Sequence, residues 1–329
     1  KYEKKVSMQA FLTSVSSVFE IVLVIALGYI LRRRKRFGDE FKGSVSFLVM
    51  NIGLPASIFV SVLKYLDRSK LASLSSGLLY VLVSFACGYA IAWLLSRGLR
   101  IRPGRRGIFI NMFVNANTIF IGLPLNLALF GQISMPYFLI YYVVNTVSTW
   151  AIGIFFISGD DPTRGDRPWT RRGFDWRRLL PAPLLGFVVA LIWLLIGIPV
   201  PGWMDGTLSM VGGIVTPLSL IYIGIVLADA GLKSIRFDRD TIWALIGRFA
   251  IAPGLMVAII LLFRHGGTAI PTVESSTLIV QAGAPGLAVL PILAEQSHGD
   301  VTYATNVVTT STVLFVVVVP LLVQVATLL

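Results

Sequence analysis

The chain has 329 residues, 56% hydrophobic and only 13% charged, where a soluble domain carries about a quarter charged; its mean hydropathy is +0.82. That excludes an ordinary soluble fold, and at roughly 20 apolar residues per spanning helix there is room for about ten spans. The net charge of +12 does not make a nucleic-acid binder, because the basic residues cluster between apolar runs without an aromatic-interleaved basic face, as loops do under the positive-inside rule.

Ten apolar segments follow in order. The first, 9–31, carries Glu20 near its middle; it lacks a small-residue cleavage site and runs into the basic stretch Arg32 to Arg36, so it reads as a retained helix and not a signal peptide. The second, 43–63, holds Asn51-Ile-Gly-Leu-Pro55. The third, 71–96, contains the single cysteine, Cys87. With only His265 and His298 besides, the chain offers no disulfide scaffold and no Cys or His metal centre. No cofactor is expected beyond a coupling Na+ or H+.

The fourth segment, 107–130, reads GIFINMFVNANTIFIGLPLNLALF, and the fifth is 135–158. A polar stretch, 159–178, with six basic and four acidic residues, splits the segments five and five and serves as a linker between halves 1–158 and 179–329. The sixth segment is 179–197. The seventh, 206–228, has Gly212, Gly213 and Pro217; the glycines there permit close helix approach. The eighth, 241–263, contains Arg248. The ninth, 273–295, includes SSTLIVQAGAPGLAVLPILAE over 275–295, and the tenth is 302–327. Trp93, Trp150, Trp193 and Trp243 sit towards segment ends, as an interfacial belt requires.

With the amino terminus outside, the loops 32–42, 97–106, 159–178, 229–240 and 296–301 face the cytoplasm and hold 20 of the 28 Lys and Arg residues, against seven in the outer segments. Both termini are therefore expected outside, in a plasma or bacterial inner membrane. Pro55 and Pro217 are 162 residues apart, Pro124 and Pro285 161. Two prolines recurring at nearly one period point to a duplication. Five spans per half would make the second copy inverted, a recurrent carrier architecture.

Asn111, Asn115, Asn117 and Thr118 crowd the first half of the fourth segment, and Gly122 and Pro124 then mark a candidate break, since proline removes a backbone donor and clashes with the preceding turn. The ninth segment repeats the pattern with Gln281, Gly283, Ala284, Pro285, Gly286 and Pro291. Two helices broken near the bilayer centre would bring together two half-helix amino termini, each with unpaired amides and partial positive charge. Such a pair suits a carboxylate, with Asn117 and Gln281 completing its hydrogen bonds; an ordinary proline kink is the alternative. Arg248 could attract an anionic substrate, pair with an acid, or snorkel to the interface. Glu20 is either a proton-coupling site or a buried structural acid.

The stretch Asn111 to Gly131, with Asn-x-x-x-Asn-x-Asn-Thr, Gly-x-Pro-Leu and Leu-Phe-Gly, resembles the auxin efflux carrier family. Segment 281–299 with Gly-Ala-Pro and Leu-Ala-Glu, the run ending Gly28-Tyr-Ile-Leu-Arg-Arg-Arg, and Leu54-Pro55 are similar too. The family includes plant PIN-type auxin carriers and bacterial malonate or malate permeases. The resemblance implies an all-α fold of ten transmembrane helices, with a scaffold from helices 1, 2, 6 and 7 and a transport domain from helices 3–5 and 8–10. It implies that helices 4 and 9 cross where they break, that an anion binds there beside Asn115 and Asn117, and that the protein forms a homodimer through the scaffold. The short linker fits a bacterial member.

The expected function is a secondary carrier of a small organic anion, a carboxylate or dicarboxylate, with the anion and the bilayer as partners and no nucleic acid. The substrate-binding set is Asn111, Asn115, Asn117, Thr118, Gly122, Pro124, Gln281, Gly283, Ala284, Pro285 and Gly286, supported by Asn51, Pro55, Glu20 and Arg248. A cation/proton antiporter would need carboxylates at the crossing, and 107–130 and 275–294 contain none. A non-transporting membrane sensor would need a domain to read out its signal. An enzyme is not expected, as no Ser/His pair, zinc motif or facing carboxylate pair exists.

Overall fold

A computed structural model describes residues 19–20, 22–65, 68–163, 182–231, 235–268 and 270–327. The start of the first apolar segment and most of the 159–178 linker lie outside the described residues. The described chain is helical throughout, apart from one isolated antiparallel bridge between Ala116 and Gly286. Among the described residues, six helices are long and apolar enough to cross a membrane: α2 (Asp39–Tyr65), α3 (Gly77–Gly98), α5 (Gln132–Gly159), α7 (Gly202–Asp229), α8 (Arg239–His265) and α10 (Val301–Ala326). The helix α1 covers 22–33, and α6 (Ala182–Ile196) is shorter. The fourth and ninth apolar segments are each divided. They form α4a (Arg106–Val114) and α4b (Thr118–Phe130), and α9a (Thr272–Ala282) and α9b (Leu290–Gln296).

Lipid supplies no hydrophobic drive between helices, so close packing falls to small residues. A side chain on Gly28 of α1 would run into the backbone of Ile221, and one on Gly224 of α7 into that of Ile25 and Tyr29. The two glycines thus let α1 and α7 touch backbone to backbone. Gly186 seats α6 on Pro55, and Gly212 seats α7 on Ser57. Gly213, read from the sequence with Gly212, faces open space.

Two ion clusters bind loop ends. Arg32, after α1, donates to Asp229 of α7 (2.6 Å) and pairs with Asp39 of α2, while Lys42 reaches Asp229 at 3.2 Å. Arg105, before α4a, holds Asp300 (2.6 Å), Asp238 (3.0 Å) and Asp240 (3.3 Å), with its guanidinium over the Tyr303 ring at 4.7 Å. Asp161, just after α5, meets His298 at 3.2 Å. The loops after α3, α5, α7 and α9b therefore gather on one side of the bundle, as an alternating path through a membrane requires.

Between α1 and α7 on one side and α4b and α10 on the other lies a narrow cleft. Val22, Ile25, Leu220, Ile223, Ile121, Leu125, Phe315 and Val319 line it, and Thr312 is its polar side chain.

Candidate functional site

The helix of the fourth segment stops because three residues leave the helical conformation. Asn115 is extended (φ −94°, ψ 135°) and Asn117 lies at φ −77°, ψ 73°. Freed backbone groups inside a membrane protein must find partners. The N–H of Ala116 donates to Asn145 Oδ1 (2.8 Å), and Asn145 Nδ2 donates to the Ala116 carbonyl (3.0 Å). One side-chain amide on α5 thus supplies both bonds that a neighbouring strand would make.

The ninth segment leaves the helix over 283–289 and runs against this break. Asn117 N–H donates to the Pro285 carbonyl (2.7 Å), and Gly286 N–H donates to Ser311 Oγ of α10 (3.2 Å). Gly286 has no room for a side chain, which would strike Met112. Gln281 Nε2 donates to the Gly122 carbonyl (2.9 Å), and a Cβ on Gly122 would strike Gln281. The two interruptions therefore meet and hold each other.

The break does not fall at Gly122 and Pro124, where the sequence placed it. It lies upstream at Asn115–Asn117, and Pro124 stands in the first turn of the resumed α-helix after a π-helical turn, Thr118–Gly122. Proline is tolerated there, because the first N–H groups of a helix need no intrahelical acceptor. Pro291 holds the same place in α9b. Pro124 and Pro291 thus hold like places in a first helical turn, whereas Pro285 lies in the non-helical stretch of the ninth segment.

The polar residues divide by how far their groups are already used. Asn111 Nδ2 donates to the carbonyls of Gly107 and Gly153 (both 2.9 Å), and its Oδ1 accepts from Asn115 Nδ2 (2.9 Å). Asn115 Nδ2 also donates to Tyr89 Oη (2.9 Å), and its Oδ1 accepts from Ser148 Oγ (2.6 Å). Both asparagines are buried and saturated, so they position the break. Asn117 Oδ1 caps α4b by accepting from Phe120 N–H at 3.2 Å, and the cap leaves its Nδ2 donor unused. Thr118, Ala284 and Gln281 are buried at the crossing, and Gln281 Oε1 has no donor among the described residues. Gly283 makes room for Leu322.

Arg248 stands on a π-helical turn of α8, Gly247–Ile251, where Gly247 fits over the Phe113 ring. Its side chain is 0% exposed, so it does not snorkel. Nη2 donates to the carbonyl of Ala282, the last residue of α9a, where the helix end carries partial negative charge. Tyr141 of α5 lies beside it. Nε and Nη1 have no acceptor, and no carboxylate pairs with this guanidinium among the described residues.

Three of the proposed supporting residues lie elsewhere. Asn51 is exposed and bonds the Phe47 carbonyl (3.2 Å), Pro55 supports Gly186 in helix packing, and Glu20 is exposed on the first helix. The sequence reading missed Asn145, Ser148, Ser311, Tyr89 and Tyr141. Asn145 carried the clearest signal, being an amide inside the apolar run YYVVNTVSTW, since polar groups at such depth face the protein interior. No group of His, Cys, Asp and Glu able to hold a metal occurs among the described residues.

Apolar spanning helices around two interrupted, mutually bonded segments define an integral membrane protein with a polar site enclosed in its bundle. The family model described as membrane transport protein matches residues 13–323, and the chain belongs to that family, the auxin efflux carriers. It is 25% identical over 316 residues to an uncharacterized transporter of Methanothermobacter thermautotrophicus, covering 94% of this chain and 98% of the relative. Over 221 residues it is 22% identical to the uncharacterized transporter YfdV of Escherichia coli K12, covering 65% of this chain and 68% of that protein.

Proposed function

We propose that the chain is a secondary carrier of a small organic anion, a carboxylate or dicarboxylate, which binds at the crossing of the two interrupted helices. The observation that carries this reading is Arg248, fully buried with two unpartnered nitrogens. Burying a charge without a counter-charge costs several kcal/mol, and a carboxylate offers the acceptors a guanidinium fork fits best. Asn117 Nδ2 adds a neutral donor, and Gln281 Oε1 accepts from a ligand hydroxyl or protonated acid.

The wider arrangement we propose is a scaffold of α1, α2, α6 and α7, dimerising with a second copy, and a moving body of the remaining helices, the two related as inverted repeats. Both ion clusters support this division, since each ties loop ends of one body only. The cytoplasmic face is then the side where those loops gather.

The experiment is a thermal-shift screen of purified protein against mono- and dicarboxylates, followed by radiolabelled flux in proteoliposomes. At 100 times Kd a ligand adds about 2.7 kcal/mol, a clear shift, and Arg248→Met abolishes it. If no acid stabilises or crosses, the carrier reading falls; binding without flux would favour a sensor.

A further inference from the structure

Glu274 is the one carboxylate among the fully buried described residues, 2% exposed in the first turn of α9a. Its Oε1 has no hydrogen-bond partner among the described residues. It faces Gly77 of α3, where any Cβ would collide with it, and Ile140 of α5 packs against the same spot. Two more buried hydroxyls without partners lie one turn along: Thr277 on the same face of α9a, and Tyr80 on α3 beyond Gly77. Tyr137 of α5 is the other titratable group facing the carboxyl. On α8, Arg264 bonds Ser275 Oγ and the Ile270 carbonyl (both 3.3 Å), and His265 ends the helix. The adjoining α4b and the second half of α10 contain no titratable side chain.

Among the described residues an ionised carboxylate in this place would have no paired cation, and its Oε1 no donor, at a cost of several kcal/mol. A neutral acid removes that cost. Gln281 is seven residues further along α9a, about 10 Å at 1.5 Å per residue, so the acid and the anion site share one rigid half-helix. We propose that Glu274 is a proton-binding site that travels with the moving body and couples transport to the proton gradient. The coupling part rests on the carrier reading; the proton site does not.

Infrared spectroscopy of purified protein in lipid tests the site without any substrate. The neutral-carboxyl C=O band should be present at pH 7, vanish on alkaline titration, and be absent in Glu274→Gln. A neutral-acid band that Glu274→Gln leaves intact, or no band at all, overturns the proposal. So does a band that responds to sodium at constant pH. Should the variant fail to fold, Glu274→Asp takes its place, and a neutral-acid band whose frequency and titration that variant leaves unchanged overturns the proposal. For coupling, exchange and gradient-driven flux of radiolabelled malonate and a monocarboxylate panel are compared in proteoliposomes. An imposed difference of one pH unit drives up to about tenfold accumulation by wild type, while Glu274→Gln exchanges the acid but ignores the gradient. A variant that still follows the gradient refutes the coupling. If wild type moves no acid, the carrier reading fails, and the infrared result stands by itself.

Discussion

At the scale of single residues, the proposed site depends on Arg248, a cation that the described residues leave without a counter-charge. Replacing it with an apolar side chain of similar length removes the unpaired charge, so Arg248→Met should melt higher than wild type without ligand while losing the carboxylate-induced shift. Scanning calorimetry with and without ligand checks both signs. Gly122→Ala forces a methyl into Gln281 and should cost about 1–3 kcal/mol, as overpacking usually does. Urea titration in mild detergent would register it as a lower midpoint. Arg248 was legible in the sequence as a charge within an apolar run, but its direction was not. A π-helical turn inserts a residue into the ladder and rotates everything after it, and periodicity does not reveal such a turn. Glu274 stands near the start of an apolar segment, and its burial comes from contacts with Gly77 and Ile140 that no local pattern encodes.

Among the elements, the interruption of the fourth span is held open by another helix. Asn145→Ala leaves the Ala116 N–H and carbonyl unpaired, at about 1–3 kcal/mol for each buried group. Hydrogen exchange should then show increased amide exchange over 115–118, with α3 unchanged. The sequence showed that these two spans are broken but misplaced the first break, because proline draws attention to itself. The extended conformation at Asn115–Asn117 comes from amide side chains and from contacts with α5 and the ninth segment, which no local pattern encodes.

The Arg105 cluster responds to pH. Burial works against the charge on Asp238, but the Thr241 side chain and N–H and the Arg105 guanidinium together hold its carboxyl below the usual carboxylate range. A carboxyl lowered in the folded state stabilises above its unfolded pKa of about 3.9, and that contribution is lost as pH falls through the lower folded value. Wild type should therefore exceed Asp238→Asn in melting temperature at pH 7, with the gap closing below pH about 4. An equal gap at both pH values would contradict this.

For the molecule as a whole, apolar content and segment length read the membrane class directly. The partition into two bodies came from resemblance alone. Its physical support, the ion clusters confined to one side each and the glycine contacts within α1, α2, α6 and α7, appears only in three dimensions. A cross-linking series separates the proposed bodies. In a Cys87→Ala background, a short bifunctional reagent joining Ile25→Cys to Val319→Cys should stop flux, because that pair spans the cleft. Joining Ile25→Cys to Ile221→Cys, within the tight α1 and α7 pair, should leave flux intact.

The cleft between α1, α7 and α4b, α10 also decides what kind of friction opposes movement. Its walls are branched aliphatic and aromatic side chains, with Thr312 the polar one, so sliding them breaks no hydrogen bonds and separates no ions at that seam. Dispersion forces between carbon atoms are individually small and lack direction. Such a seam behaves as a greased bearing: its turnover follows the fluidity and thickness of the surrounding lipid, and dissolved salt has little hold on it.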